Sequence, residues 1–112
     1  MKQVTAVIKP FKLNDVKAAL EVLGIQGLTV SEVQGFGRQK GHTEVYRGAE
    51  YTVDFLPKVK VEVLCASEDV DRITDVIAAA SRTEKIGDGK IWWVDLAGAL
   101  RVRTGERDDD AI

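Results

Sequence analysis

Apolar residues divide this chain of 112 residues into two strand–helix–strand units, separated by a polar stretch at residues 37–55. The first unit has strands at residues 4–8 and 28–33, and the second has strands at residues 59–65 and 91–96. Two such units in succession are typical of the split βαβ arrangement, the ferredoxin-like fold. The sequence therefore predicts a single α+β domain: a sandwich in which one antiparallel sheet carries two helices on one face.

The two helices are predicted from apolar residues at helical spacing and from capping residues. Asn14 and Ser67 are the candidate N-caps, and Gly24 is the expected C′ residue of the first helix. A short fifth strand is expected at residues 100–103, followed by a frayed tail at residues 107–110. The apolar helix faces comprise Leu13, Val16, Leu20 and Leu23, and then Val70, Ile73, Ile77 and Ala80.

The predicted sheet leaves one face without helices. Trp92 and Trp93 are adjacent in the fourth strand, so their side chains should lie on opposite faces of the sheet. A chain of this size has no further element to cover an apolar open face. The simplest cover is another copy of the chain, so we expect a homo-oligomer.

Composition excludes several classes of protein. Lysine plus arginine is 16 against 18 for aspartate plus glutamate, a net charge of −2, so the chain lacks the basic excess that direct nucleic-acid binding requires. With Cys65 and His42 as the single cysteine and histidine, no internal disulfide and no Cys- or His-rich metal site is expected. No apolar run approaches the roughly 20 residues of a membrane span. These features favour the reducing cytoplasm.

A glycine-containing turn at residues 85–90 is the first candidate binding element. Gly87 and Gly89 would let backbone N–H groups approach an anion, while flanking lysines add positive charge. The phosphate-loop pattern is not met, because it needs glycine in place of Glu84 and serine or threonine in place of Ile91. Considered alone, the spacing favours a tight turn into the fourth strand, with anion binding as the alternative.

Arg101 and Arg103 are the second candidate. At strand spacing their guanidinium groups would share one face and form a fork suited to phosphate. Considered alone, the pair is explained more simply as charges on a solvated sheet edge that block aggregation.

The polar stretch at residues 37–55 is the third candidate. It shows no sustained hydrophobic period, and loops of this length are usually functional or disordered, so we expect it to be mobile. His42 has no serine and acid in a triad pattern, which favours a solvated side chain over catalysis. Tyr51, flanked by charged residues, indicates a docking or modification site.

Several segments together closely resemble the nitrogen regulatory PII signal-transduction proteins. Residues 34–51, QGFGRQKGHTEVYRGAEY, resemble their T-loop, and residues 85–92, KIGDGKIW, resemble their phosphate-binding B-loop. Residues 9–13, 54–58 and 101–106 are also similar, so the resemblance covers nearly the whole chain. It implies a T-loop at about residues 37–55, a B-loop at about 82–90 and a C-terminal loop at about 101–112.

The resemblance implies a cytoplasmic homotrimer that signals nitrogen, carbon and energy status and is not an enzyme. ATP or ADP would bind with Mg²⁺ in clefts between subunits, and 2-oxoglutarate would bind beside Mg-ATP. The implied partners are an ammonium transporter, which would bring the protein to the inner membrane face, an enzyme that modifies glutamine synthetase, other nitrogen-assimilation enzymes, transcription regulators and a nucleotidylyltransferase. No direct nucleic-acid binding is implied.

The resemblance also assigns roles by position. Gln39 would ligate Mg²⁺ and, with Lys58 and Gly87, bind 2-oxoglutarate, while Tyr51 matches the tyrosine that is uridylylated or adenylylated. Thr29 and Leu64 would line the adenine pocket, and the two arginines would come from the neighbouring subunit. The implied ATP- and ADP-binding set is Thr29, Gly37, Arg38, Gln39, Leu64, Gly87, Asp88, Gly89, Lys90, Arg101 and Arg103.

Two residues depart from the family pattern. Glu84 stands where many members have glycine, and Trp93 where the family usually has an aliphatic residue. A carboxylate near phosphates is unfavourable unless it faces solvent or meets Arg82 or Lys85. The alternative function is a small nucleotide-dependent hydrolase or transferase using the same cleft, although no strong general base is evident and only slow ATP turnover would be expected.

Overall fold

The structure is a computed structural model that describes residues 1–37, 43–46, 49–52 and 55–112. Short 3₁₀ turns lie at Pro10–Lys12, Ser67–Asp69 and Asp108–Ala111. The strands and α-helices are β1 (Lys2–Ile8), α1 (Leu13–Val22), β2 (Thr29–Gly35), β3 (Thr43–Tyr46), β4 (Ala49–Thr52), β5 (Leu56–Cys65), α2 (Val70–Ser81) and β6 (Lys90–Asp95).

Four strands form one antiparallel sheet in the order β2-β5-β1-β6. β1 and β5 are the central strands, because each pairs with a strand on both sides. β1 and β2 belong to the first unit and β5 and β6 to the second, so strands of the two units alternate across the sheet. Both helices pack on the same face of this sheet and against each other. The predicted ferredoxin-like α+β fold is therefore confirmed.

The core lies between the sheet and the two helices. Alternate residues of β1, namely Val4, Ala6 and Ile8, are at most 1% exposed and face the helices. The helices contribute fully buried residues at helical spacing, including Leu20 and Ile77. Burying each such large aliphatic side chain stabilises the fold by about 1.5–3 kcal/mol, which is why the apolar period of the sequence dictates which face of each element turns inward.

The face of the sheet away from the helices is open in the single chain. Trp92 pairs with Thr5 on this face, whereas Trp93 pairs with Val4 on the helical face. The two indoles are 44% and 50% exposed. The expectation that they lie on opposite faces is confirmed, and β6 presents apolar surface on both sides of a sheet edge.

The predicted helix N-caps are wrong. A 3₁₀ turn precedes each helix, so Asn14 lies inside α1, and Ser67 begins the turn that leads into α2. The Ser67 hydroxyl instead accepts a hydrogen bond from the amino terminus of Met1 at 3.1 Å. The predicted C′ position of Gly24 is confirmed, with a left-handed φ of 96°.

The predicted fifth strand and the predicted frayed tail are also wrong. Leu100 forms an isolated bridge with Arg107, and the chain between them turns back on itself through Gly105, whose φ is 74°. Arg101 and Arg103 therefore lie in a turn and not at strand spacing along a sheet edge. Beyond the bridge, Asp108–Ala111 form a 3₁₀ turn.

The polar stretch contains regular structure that its sequence pattern does not predict. β3 and β4 pair antiparallel as a hairpin, with Thr43 opposite Thr52. β5 begins at Leu56 and includes Pro57, which we expected to precede the strand. Proline is tolerated there because β1 ends level with Val59, so this part of β5 has β2 as its one partner strand.

Within the ranges described above, no helix is both long enough and apolar enough to cross a membrane.

Candidate functional site

Outside the polar stretch, the predicted site residues fall into two groups at opposite ends of β5. Lys58 lies near the start of this strand and Leu64 near its end, six residues apart and therefore separated by about 20 Å. The turn before β6 lies beside Lys58, and the C-terminal segment lies beside Leu64.

The turn before β6 is organised by the carboxylate of Asp88. Its Oδ2 accepts hydrogen bonds from the backbone N–H groups of Thr83 at 2.7 Å and Glu84 at 2.8 Å. Its Oδ1 accepts a hydrogen bond from the Thr83 hydroxyl and lies 3.3 Å from Lys9 Nζ. The hydrogen bond from the Thr83 hydroxyl, followed by the backbone N–H groups and Lys9, holds the pKa of Asp88 well below its usual range. The Asp88 carboxylate is thus occupied within the turn, and its own backbone is the part left to face a ligand.

Two glycines shape the same turn. Gly87 and Gly89 have φ values of 94° and 103°, in the left-handed region that favours glycine. Lys90 follows at the first position of β6, where it pairs with Val7 and its side chain is exposed. The tight-turn interpretation of residues 85–90 is therefore correct. The same geometry keeps side chains away from the main chain of the turn, which is the condition for an anion to approach its N–H groups.

Lys58 ties this turn to the start of the polar stretch. Its ammonium donates a 2.7 Å hydrogen bond to the Gly87 carbonyl, and the residue is 9% exposed. Burial, and then the neighbouring charge of Lys9, lowers the pKa of Lys58, while Asp88 raises it. A Cβ on Gly35 would lie 3.2 Å from Lys58 Cγ, so glycine at this position gives the lysine side chain room to pass.

A cavity of about 120 Å³ lies where these elements meet. Lys58 contributes a positive charge to its wall. Phe36 in its wall packs against Phe55, with ring centroids 5.9 Å apart. Such a site suits a small anion with an apolar portion. The lining residues are Val7, Gly35, Phe36, Gly37, Leu56, Lys58 and Gly89.

The second group surrounds a larger cleft of about 660 Å³ at the far end of the sheet. Thr29, Leu64 and Arg101 line it together with Glu62 and the C-terminal Ile112. Its size and its mixture of apolar and hydrogen-bonding groups suit a flat ring system.

The two arginines differ in their surroundings. Arg101 lies 3.8 Å from a Glu106 carboxylate oxygen and donates a 3.4 Å hydrogen bond to the Ala111 carbonyl. Arg103 is exposed in the adjoining turn and does not line the cleft. Within one chain, neither arginine lies with Lys90 at the glycine turn.

Four predicted site residues lie on the polar stretch, and the first of them, Gly37, lines the small cavity. Arg38 and Gln39 are outside the described residues. Tyr51 lies in β4, where its backbone pairs with Glu44. Across the ranges that the structure describes, no group of three or more His, Cys, Asp and Glu residues could hold a metal ion.

The sequence interpretation missed two residues of this site, Lys9 and Thr83. Lys9 Nζ donates a 3.1 Å hydrogen bond to Thr83 Oγ1, across 74 positions of the sequence. The one local signal is the position of Lys9 directly after a buried strand and before Pro10. Thr83 carries no local signal, because its role comes from the turn around Asp88.

The two departures from the resembled pattern are both exposed. Glu84 has a left-handed φ of 66° and, among the described residues, forms no ion pair with Arg82 or Lys85. Its carboxylate therefore faces solvent. Trp93 stands on the helical face of an edge strand, half exposed.

The sequence matches a protein-family model and is similar to several known proteins. A family model described as "Nitrogen regulatory protein P-II" matches residues 1–106. The chain is 62% identical over 112 residues to "Nitrogen regulatory protein P-II" of Rhodobacter capsulatus and 60% identical to the protein of that name from Cereibacter sphaeroides. It is 61% identical to "Nitrogen regulatory protein P-II 1" of Escherichia coli strain K12. Each of these alignments covers the whole length of both chains.

Proposed function

The chain belongs to the nitrogen regulatory protein P-II family. From this premise we propose that it binds ATP, ADP and 2-oxoglutarate and regulates nitrogen-assimilation enzymes according to which of these ligands is bound. Proteins of this family are named for regulation, so the chain is a signalling protein rather than an enzyme. The proposal extends that identity to particular ligands and residues.

The observation that carries the proposal is the arrangement of Lys58 against the glycine turn. Lys58 is 9% exposed and lines the small cavity, so its ammonium is suited to hold a carboxylate, because desolvation strengthens a charge-assisted hydrogen bond. Next to it, the main chain at Gly87 and Gly89 and the ammonium of Lys90 are suited to phosphates. 2-Oxoglutarate and a nucleotide would thus occupy neighbouring positions.

A complete nucleotide site would require a second copy of the chain. Lys58, beside the turn, and Leu64, in the cleft, are about 20 Å apart along β5, which is too far for side chains at the two ends to contact the same phosphates. A homotrimer would bring the cleft of one subunit, with Arg101 and Arg103, to the turn of the next. It would also cover the open sheet face that exposes Trp92.

In this proposal the T-loop carries the signal. Mg-ATP with 2-oxoglutarate, and ADP, would favour different T-loop conformations through their differential affinities. Gln39 would join the Mg²⁺ ligands, Arg38 and Gly37 would close the nucleotide cleft, and Tyr51 would accept a nucleotidyl group. Partners would include cytoplasmic nitrogen enzymes, transcription regulators and an ammonium transporter at the inner membrane face.

Mixing two variants that each bind ATP weakly tests whether two subunits share one cleft. Lys90→Ala and Arg103→Ala should each weaken ATP binding about ten- to a hundredfold, the loss of a charge-assisted contact worth about 1.5–3 kcal/mol. If the two residues act across a subunit boundary, a trimer containing both variants has one intact cleft. Co-refolded variants should therefore regain high-affinity sites, measured by isothermal titration with ATP.

Three results would overturn parts of this proposal. Unchanged ATP affinity in both single variants would remove these residues from the site. No recovery in verified mixed trimers would show that Lys90 and Arg103 reach each cleft from the same subunit. A monomer in sedimentation at micromolar concentration would exclude any site shared between subunits.

A further inference from the structure

Lys9 is a nearly buried lysine, and a neutral side chain at this position would avoid the free-energy cost of removing a charge from water. It follows β1 directly and is 9% exposed, and its ammonium reaches Thr83 Oγ1 at 3.1 Å and Asp88 Oδ1 at 3.3 Å. Lysine is rarely buried to this extent unless it is paired. Here the pairing connects the end of β1 to the turn that precedes β6.

The pairing is electrostatically expensive because Lys58 lies in the same cluster. Among the described residues, both ammonium groups lie near the Asp88 carboxylate, and burial, followed by the charge of Lys9, lowers the pKa of Lys58. Replacing buried ion pairs by apolar residues is often neutral or stabilising. Stability alone therefore gives a weak reason for a charged residue at this position, and the groups that Lys9 holds give a better one.

The groups that Lys9 holds are those that set the shape of the turn. The Asp88 carboxylate accepts hydrogen bonds from the backbone N–H groups of Thr83 and Glu84, so its orientation fixes the first half of the turn. Lys9 binds both the carboxylate and the Thr83 hydroxyl, and so anchors this half to β1. The second half is anchored separately, by the pairing of Lys90 with Val7.

We infer that Lys9 is a positioning residue for nucleotide binding: through Thr83 and Asp88 it holds the turn at residues 83–89 in the shape that presents its backbone N–H groups to phosphate. The inference rests on the proposed function, since the ligand is the nucleotide proposed there. Lys9 acts through the turn, and its ammonium is directed at Thr83 and Asp88.

The test compares Lys9→Met with wild type in the full-length chain, using ADP as the probe. Methionine keeps the length of the buried stem but removes the charge and the donor. We expect ADP binding about tenfold weaker by isothermal titration, equivalent to about 1.4 kcal/mol. In the ligand-free protein, hydrogen exchange at the Thr83 and Glu84 amides, which donate to Asp88, should accelerate while exchange at core amides such as that of Val63 stays slow.

Two comparisons separate positioning from simple charge. Lys17→Met removes an exposed lysine that pairs with Glu21 at 3.0 Å, and it should change neither readout. Thr83→Val removes the hydroxyl while leaving the Lys9 charge in place. We expect it also to weaken ADP binding and loosen the turn, whereas Thr83→Ser, which keeps the hydroxyl, should remain close to wild type. If Lys9→Met does not fold, unchanged ADP affinity in Thr83→Val would still overturn the inference, because the hydroxyl that Lys9 binds would then not be needed.

The outcomes that would overturn the inference are distinct from those that would overturn the proposed function. Wild-type ADP affinity in Lys9→Met or Thr83→Val, with or without a lower melting temperature, would show that this contact stabilises the fold and does not position the site. Loss of ADP binding in Thr83→Val with unchanged protection of the amides at positions 83 and 84 would exclude positioning of the turn. Failure of the wild-type chain to bind ADP would overturn the proposed function, and the inference with it.

Discussion

Gly89 lies against the main chain of Val7 so closely that a Cβ atom on the glycine would stand 1.7 Å from the Val7 carbonyl oxygen. The cause is the entry of the turn into the sheet: Lys90 pairs with Val7, and the residue before it must cross the end of β1. Gly89 is also in the left-handed region, with φ of 103°. The lack of a side chain at Gly89 is therefore needed for the turn to attach to β1, and it also leaves the main chain accessible to a ligand.

Gly89→Ala should destabilise the protein by about 3 kcal/mol or more, because it adds a main-chain overlap to a backbone strain of about 1–3 kcal/mol. Urea unfolding would measure the loss. Gly27→Ala is the matched control, since a Cβ there meets nothing within 4 Å and its φ is outside the left-handed region. It should change stability by no more than about 0.5 kcal/mol. Equal stability of the two variants would contradict the close approach.

Asp88 should contribute to stability in a pH-dependent way. Its pKa is lower in the folded chain than the unfolded value of about 3.9, so the unfolded state binds more protons in this range. The contribution is therefore present above about pH 4 and is lost as the pH falls toward the folded pKa. Asp88→Asn should be less stable than wild type at pH 7, and the difference between their urea midpoints should shrink between about pH 4 and pH 3.

The control for this pH dependence is Asp95→Asn. The hydrogen bond and charge of Lys2 also lower the pKa of Asp95, but the Asp95 side chain is 86% exposed. Exposed ion pairs contribute little, so this variant should stay close to wild type across the same range. A difference between Asp88→Asn and wild type that is as large at pH 3 as at pH 7 would contradict an ionised Asp88 in the turn.

Glu84→Gly should leave stability unchanged or raise it by up to about 1 kcal/mol. Relief of the left-handed strain of a residue with φ of 66°, worth about 1–2 kcal/mol, outweighs the extra unfolded-state entropy of glycine, about 0.5–1 kcal/mol. Loss of a carboxylate from the turn at residues 83–89 should also strengthen the proposed binding of ATP. Lys85→Gly, at the next exposed position and without a left-handed φ, should instead lower the melting temperature. Equal losses in both variants would show that Glu84 is not strained.

Lys58→Met should separate the two proposed classes of ligand. It removes the ammonium that would pair with a carboxylate, so binding of 2-oxoglutarate in saturating Mg-ATP should weaken about ten- to a hundredfold. ADP binding should change much less. Lys60→Met, two residues along the same face of β5 and paired with Glu62 at 3.3 Å, should leave 2-oxoglutarate binding intact. Equal loss of both ligands in Lys58→Met, measured by isothermal titration, would make Lys58 a structural residue.

The faces of the core elements could be read from the sequence because they follow from local periodicity. The alternation of Val4, Ala6 and Ile8 and the spacing of Ile73 and Ile77 each define one apolar face, and burying these faces together leaves few arrangements. The N-cap predictions at Asn14 and Ser67 failed because a 3₁₀ turn precedes each helix and shifts the position at which the helix begins. The strand expected at residues 100–103 failed because Gly105 turns the chain back.

The sequence by itself thus determined the sheet, the helical layer and the glycine turn, since each is encoded in residues close together along the chain. Only the tertiary structure decided that Lys9 meets Thr83 and Asp88, and that Lys58 reaches the Gly87 carbonyl. These contacts join residues 29 to 79 positions apart, and they depend on the register of β1 with β5 and β6. A register is fixed by the packing of whole strands, so no local pattern around Lys9 could specify its partners.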